Sequence, residues 1–146
     1  MSEATKPAIL IGVEIFIRKG DQILMGQRGK NAFGAGTWAL PGGHLEFGEK
    51  LADGLSREMK EEINADIDPA DLRLISVVDD IRPDRQYVHI SFELKNPTFG
   101  IERMELDQCD EWRYFDLKNL PTDNLFWPHQ NIIKNYLEQT LYLHNR

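Results

Sequence analysis

Residues 42–65 constrain this chain most: Gly-Gly-His-Leu-Glu-Phe-Gly-Glu, then Lys50 to Ser56, then Arg-Glu-Met-Lys-Glu-Glu-Ile-Asn-Ala. A glycine turn opens the stretch. Pro41 fixes its own φ, and Gly42 and Gly43 admit backbone that other residues avoid. The spacing then predicts a helix over residues 51–63. At 3.6 residues per turn, Leu51, Ala52, Leu55, Met59 and Ile63 form one apolar stripe. Glu58 and Glu62 lie along one edge of that stripe, and Glu61 stands just outside them. Like charges at i,i+4 cost a helix ~0.2–0.5 kcal/mol per pair, and partial burial raises that cost. A hard divalent cation with oxygen ligands would reverse it. Gly54, which costs ~1 kcal/mol against Ala in mid-helix, leaves space on the carboxylate side. The plainer alternative is a solvated acidic face with Arg57 and Lys60 as counter-charges.

The upstream glycines shift the balance. Gly43, five residues, Glu49, seven residues, then Arg57-Glu58-Met59-x-Glu61-Glu62-x-Asn64-Ala65 resembles the Nudix box, Gly-x5-Glu-x7-Arg-Glu-U-x-Glu-Glu-x-Gly-U, with U bulky and apolar. Every fixed polar position matches. Asn64 stands in place of the family glycine, a mild change because Asn also tolerates a left-handed helix cap. Ala65 is a small version of the last apolar residue. The resemblance implies an α/β fold, a mixed sheet in an α/β/α sandwich. It implies magnesium (Mg2+), or manganese (Mn2+), held by Glu58, Glu61, Glu62 and the carbonyl of Gly42. Glu61 or Glu62 would deprotonate the attacking water, with Arg57 and Glu49 in support. A downstream acid often completes such a site; Glu105, Asp107 and Asp110 are candidates, each with the alternative of a solvated loop charge.

Residues 34–49 and Leu125-Phe126-Trp127-Pro128 further resemble MutT-type nucleotide diphosphatases of animals and plants that act on guanine and modified-guanine nucleotides. That resemblance implies that Trp127 stacks on the nucleobase, the alternative being a core Trp, and that the protein pairs as a homodimer. His44, beside the turn, is placed either to contact phosphate or to serve structurally. Arg28, in the loop that follows the second strand, suits phosphate because a guanidinium binds oxygens bidentately; otherwise it is a solvated loop charge. Phe16 and Phe33 are the fallback for the nucleobase pocket.

The implied reaction is Mg-dependent hydrolysis of a nucleoside triphosphate to monophosphate and pyrophosphate. Hydrolysis of nucleotide sugars or other nucleoside diphosphate derivatives is the alternative within enzymes. A non-catalytic nucleotide-binding module is the alternative outside them, and the intact glutamates and Arg57 argue against it. A net charge of −7 over 146 residues disfavours binding to nucleic acid polymers or anionic membranes, but not to a small nucleotide held through metal. No apolar run reaches the ~20 residues of a membrane span. Residues 1–7 are polar and are expected to be flexible, and no signal peptide is visible. The single cysteine, Cys109, excludes an internal disulfide and fits a reducing cytoplasm. The length suits a single domain, residues 1–146.

Hydropathy patterning predicts strands near residues 8–17, 22–26, 37–40, 72–79, 86–94 and 111–115. It also predicts a one-turn helix at 116–121 and a last helix over 128–144, with Ile132, Ile133, Tyr136, Leu137 and Leu141 as its apolar face.

Overall fold

The computed structural model describes residues 6–146; the expectation for the N-terminal segment falls, for residues 1–5, outside the described residues. Seven strands form one mixed sheet: β1 (Ile9–Lys19), β2 (Gln22–Arg28), β3 (Trp38–Ala39), β4 (Gly42–His44), β5 (Arg73–Ile81), β6 (Gln86–Lys95) and β7 (Cys109–Asp116). Two α-helices, α1 (Leu51–Ile63) and α2 (Gln130–Glu138), cover it. Neighbours run β3-β2-β1-β6-β5, with β4 added to β1 and β7 to β2. The β1–β6 pair is parallel and the remaining pairs are antiparallel.

β1 is apolar on both faces because both faces are covered. Val13, Ile15 and Ile17 pack with Leu55, Met59 and Ile63 of α1. Phe16, of the opposite parity, packs with Ile23, Met25, Ile132 and Ile133 on the α2 side. These two cores are the two interfaces of an α/β/α sandwich. The period-2 alternation also sends Glu14 to the α2 side, beside His129.

Helix α1 ends as expected. Asn64 adopts the left-handed conformation at φ 55°, and the amides of Asn64 and Ala65 return to the carbonyls of Lys60 and Met59. Helix α2 is shorter than predicted. It begins after a 3-10 turn, Trp127–His129, and stops at Glu138 because Gln139 turns left-handed at φ 55°. The chain then bends back, and the carbonyl of Leu141 accepts the Val77 amide on β5. Leu141, 57% exposed, is therefore not on an apolar helix face, and Leu137 is also largely exposed. The one-turn helix predicted at 116–121 is instead a turn in which the Asp116 carboxylate accepts the Lys118 amide; the single helical turn comes later, at Thr122–Asn124. Among the described residues no helix is long and apolar enough to cross a membrane.

Candidate active site

β4 brings the glycine turn against β1, with Gly42 opposite Glu14 and Gly43 opposite Val13. The approach is too close for a side chain. A Cβ on Gly42, at φ 153°, would stand 2.2 Å from the Val13 carbonyl oxygen. On Gly43 it would stand 2.3 Å from a carboxylate oxygen of Glu58. Glu58 thus lies directly on the Gly43 backbone. One turn later, Glu62 Oε1 accepts the Gly42 amide at 2.9 Å.

Arg57 braces this arrangement from the other side. Its Nε and Nη2 donate to the two Glu49 oxygens at 2.7 and 3.0 Å, and Nη2 also donates to the His44 carbonyl at 3.0 Å. Nη1 reaches Glu58 at 3.0 Å and Glu61 at 3.3 Å. The guanidinium and the Glu46 amide hold the Glu49 carboxyl down to about 2. Gly54 serves this clamp rather than the metal-side acids: a Cβ there would meet Glu49 Oε1 at 2.9 Å and Leu45 at 2.8 Å.

Glu58, Glu62 and Glu105 line one cavity of about 200 Å³, together with Gly42 and Arg28. Burial raises the proton affinity of all three carboxyls, most strongly at Glu62, and Glu105 adds to the repulsion at both Glu58 and Glu62. Glu105 is brought in by its loop, whose Glu102 and Met104 amides donate to the Ile63 and Glu62 carbonyls at the end of α1. Asp107 and Asp110 do not line the cavity, and neither does Glu61, which is half-exposed and turned to Arg57. In these rotamers no three acid, imidazole or thiol groups among the described residues form a ready metal site. The chemistry of the set nevertheless fits a divalent cation: three mutually repelling carboxylates share a desolvated space beside a backbone turn that no side chain can fill.

A second cavity of about 330 Å³ adjoins the first, sharing Gly42, Glu62 and Arg28. Phe33 and Phe126 form an aromatic wall, and His44, Tyr87, Arg82 and Arg85 also face it. Its floor is Glu14, His89 and His129. Arg28 stands between the two cavities, donates to the Phe33 carbonyl and stacks 4.3 Å over the Phe126 ring.

The family model for the NUDIX domain matches residues 9–136. The chain belongs to the Nudix family. It is 35% identical over 127 residues, 87% of its own length and 72% of the other, to an ADP-ribose pyrophosphatase of Methanocaldococcus jannaschii. It is 30% identical over 106 residues to an 8-oxo-dGDP phosphatase of Mus musculus, covering 73% of this chain but 31% of that protein. Among solved structures, a MutT Nudix hydrolase from Burkholderia pseudomallei superimposes with a TM-score of 0.77 at 26% identity, over 90% of this chain and 98% of that one.

Within this Nudix fold, the structure brings Gly42, Arg57, Glu58 and Glu62 together, and Arg28 and His44 both line the second cavity. Trp127 does not line the second cavity. The residue is 45% exposed, and its ring leans edge-on against Phe33, with centroids 5.0 Å apart. That excludes a core Trp but leaves the aromatic wall to Phe33 and Phe126. Phe16 is core, stacked on Tyr136 at 3.9 Å. Glu14, His89 and Phe126 were not foreseen. One signal was available: an acid inside Ile-Gly-Val-Glu-Ile-Phe-Ile, where nearly every neighbour is apolar.

Proposed function

We propose that this protein is a divalent-metal-dependent Nudix hydrolase that cleaves a phosphoanhydride of a small nucleotide and releases a nucleoside monophosphate. The observation that carries the reading is the junction of the two cavities. A carboxylate-lined space adjoins an aromatic-walled one, with Gly42, Glu62 and Arg28 common to both. Phosphates would lie at the junction and the nucleoside against Phe33 and Phe126.

Magnesium or manganese would be held by Glu58, Glu62 and the Gly42 carbonyl, with Glu105 as the downstream acid and Glu61 joining only on release from Arg57, and would supply charge neutralisation and water activation. Arg57 keeps Glu58 and the 44–49 loop in place. Arg28 donates to phosphate oxygens at the junction. Glu62 is better placed than Glu61 to take the proton from water, because Glu61 is committed to Arg57 at the rim.

Nucleoside triphosphates are the first substrate reading, giving monophosphate and pyrophosphate. Nucleoside diphosphate derivatives are the second, favoured by the relatives named for ADP-ribose and 8-oxo-dGDP. A panel of GTP, 8-oxo-dGTP, 8-oxo-dGDP, ADP-ribose and a nucleotide sugar, with magnesium, separates them by product. Chelation should abolish turnover and magnesium should restore it. Undiminished turnover after exhaustive chelation would sink the metal reading, and no turnover of any compound would leave a nucleotide-binding module.

A further inference from the structure

Arg18, Lys95 and Arg73 stand in one row across the α2 face of the sheet. Phe16, which packs toward α2, pairs with Glu93 in the β1–β6 register, and two residues further Arg18 pairs with Lys95. On β5, Arg73 stands opposite Glu93. All four charged residues line a cavity of about 670 Å³, larger than either cavity of the candidate active site and sharing no lining residue with them. Arg18 lies four residues beyond Glu14 on β1, about 13 Å along the strand. Glu93 is the acid of the row, and it is already engaged. It is buried, its Oε2 accepts the Tyr136 hydroxyl at 2.7 Å, and its Oε1 lies 3.7 Å from Lys95. Arg18 turns to Tyr136 and Asp21. The Arg73 side chain makes no hydrogen bond, ion pair or ring contact among the described residues. Like charges on neighbouring strands repel, so this excess of positive charge is a local cost in a chain of net charge −7.

The remaining wall is largely aliphatic. Leu74, Leu137 and Leu141 line the cavity and are half-exposed. Leu141 reaches it because the chain turns back at Gln139 and returns to β5. No aromatic pair clamps a base here: Tyr136, the one ring in the lining, lies flat on Phe16. We propose that this cavity is a second ligand site, for a small amphiphilic phosphate whose head lies on Arg73 and Lys95 and whose aliphatic tail runs along the leucines. A guanidinium meets two phosphate oxygens at once, and two cations match a phosphate dianion. The volume and the mixture of apolar wall with a few charged groups are those of a small-molecule site. Asp66, Asp68 and Asp71 line an adjoining cavity beyond Arg73 and turn an anion away from that side. The site stands whether or not the other two cavities hydrolyse a nucleotide.

The test is calorimetric titration of the intact protein with n-octyl phosphate in the presence of chelator, which removes any metal-held phosphate at Glu58 and Glu62. The parent should bind n-octyl phosphate at least tenfold tighter than inorganic phosphate, which lacks the tail, and than octanol, which lacks the head. Arg73→Gln should weaken it about ten- to hundredfold, the scale of a hydrogen bond to a charged group, and leave turnover of any accepted nucleotide unchanged. Leu141→Ser should close the gap to inorganic phosphate. Should either variant not fold, the parent decides with octyltrimethylammonium, the same tail on a cation, which ought not to bind. Equal binding of the two octyl compounds would reduce the cavity to an apolar surface and overturn the proposal. So would no binding of n-octyl phosphate, or binding that survives Arg73→Gln and is lost in Arg28→Ala, which would assign it to the active site.

Discussion

Gly42 and Gly43 are adjacent, yet replacing each by alanine should have opposite effects. At Gly42 the added Cβ would stand 2.2 Å from the Val13 carbonyl oxygen and 2.9 Å from the Glu14 Cα, both backbone atoms inside a paired sheet. Neither can yield without shifting β1. Overpacking of this kind costs ~1–3 kcal/mol and the unfavourable φ a further ~1–2 kcal/mol. For a chain of this size, that total of ~2–5 kcal/mol lowers Tm by roughly 5–15 °C. At Gly43 the three atoms nearest the Cβ, at 2.3–2.5 Å, all belong to the Glu58 carboxyl group, the far end of a flexible side chain. Glu58 can swing away, so the fold should survive with Tm changed by no more than a few degrees. Displacing that carboxylate by about 1 Å is the scale of error that costs an active site about 100-fold. Gly43→Ala should therefore fold, lose at least that much kcat/KM, and lose part of the Tm increase that magnesium gives the parent. Thermal unfolding with and without magnesium, together with turnover, reads all three. The reasoning is refuted if Gly43→Ala unfolds alongside Gly42→Ala, or if it keeps parental activity.

Glu62→Gln removes a repulsive buried charge without changing shape; the apo protein should be no less stable, turnover should fall by orders of magnitude, and near-parental turnover would contradict the assignment. Phe33→Ala should raise KM about ten- to hundredfold, the scale of one lost stacking partner, while Trp127→Ala, whose ring only props Phe33, should have the smaller effect; steady-state kinetics on any accepted nucleotide would expose a reversed order. His129 is buried and accepts the Leu40 amide on Nδ1, and burial lowers its pKa from 6.5 to about 3. The unfolded chain therefore binds this proton first. Its contribution to stability is complete above about pH 6.5 and is lost as pH falls toward 3. His129→Asn, which can keep the acceptor, should flatten the decline of the urea midpoint between pH 7 and 4, and an unchanged slope would rule His129 out as a cause.

What could be read from the residues alone was what depends on neighbours in the chain. Helix α1 was legible to its last residue because its apolar stripe, its three crowded glutamates and the left-handed Asn64 all act within a few turns. Arg57 and Glu49 were expected only in support, through the motif; that they pair as a clamp is seen in the structure alone. Helix α2 was overextended for the converse reason. Its apolar pattern runs on to Leu141, and the left-handed break falls on Gln139, a residue with no special propensity for it. The break is sustained from outside by the bond from the Val77 amide of β5 to the Leu141 carbonyl. Glu105 could not be chosen over Asp107 or Asp110, because the choice depends on amides of residues 102 and 104 reaching carbonyls at the end of α1, about forty positions earlier. The Glu14–His89 pair depends on the parallel register that sets Gly12 beside His89 and Glu14 beside Ser91. Shifting that register by one residue would turn His89 to the opposite face of the sheet and leave Glu14 Oε1 without the imidazole nitrogen that now lies 2.7 Å away. The acid in β1 and the histidine in β6 are therefore a condition on how the two strands pair, as well as a polar floor for the cavity. A sheet that must place both groups together excludes neighbouring registers more sharply than its apolar residues could.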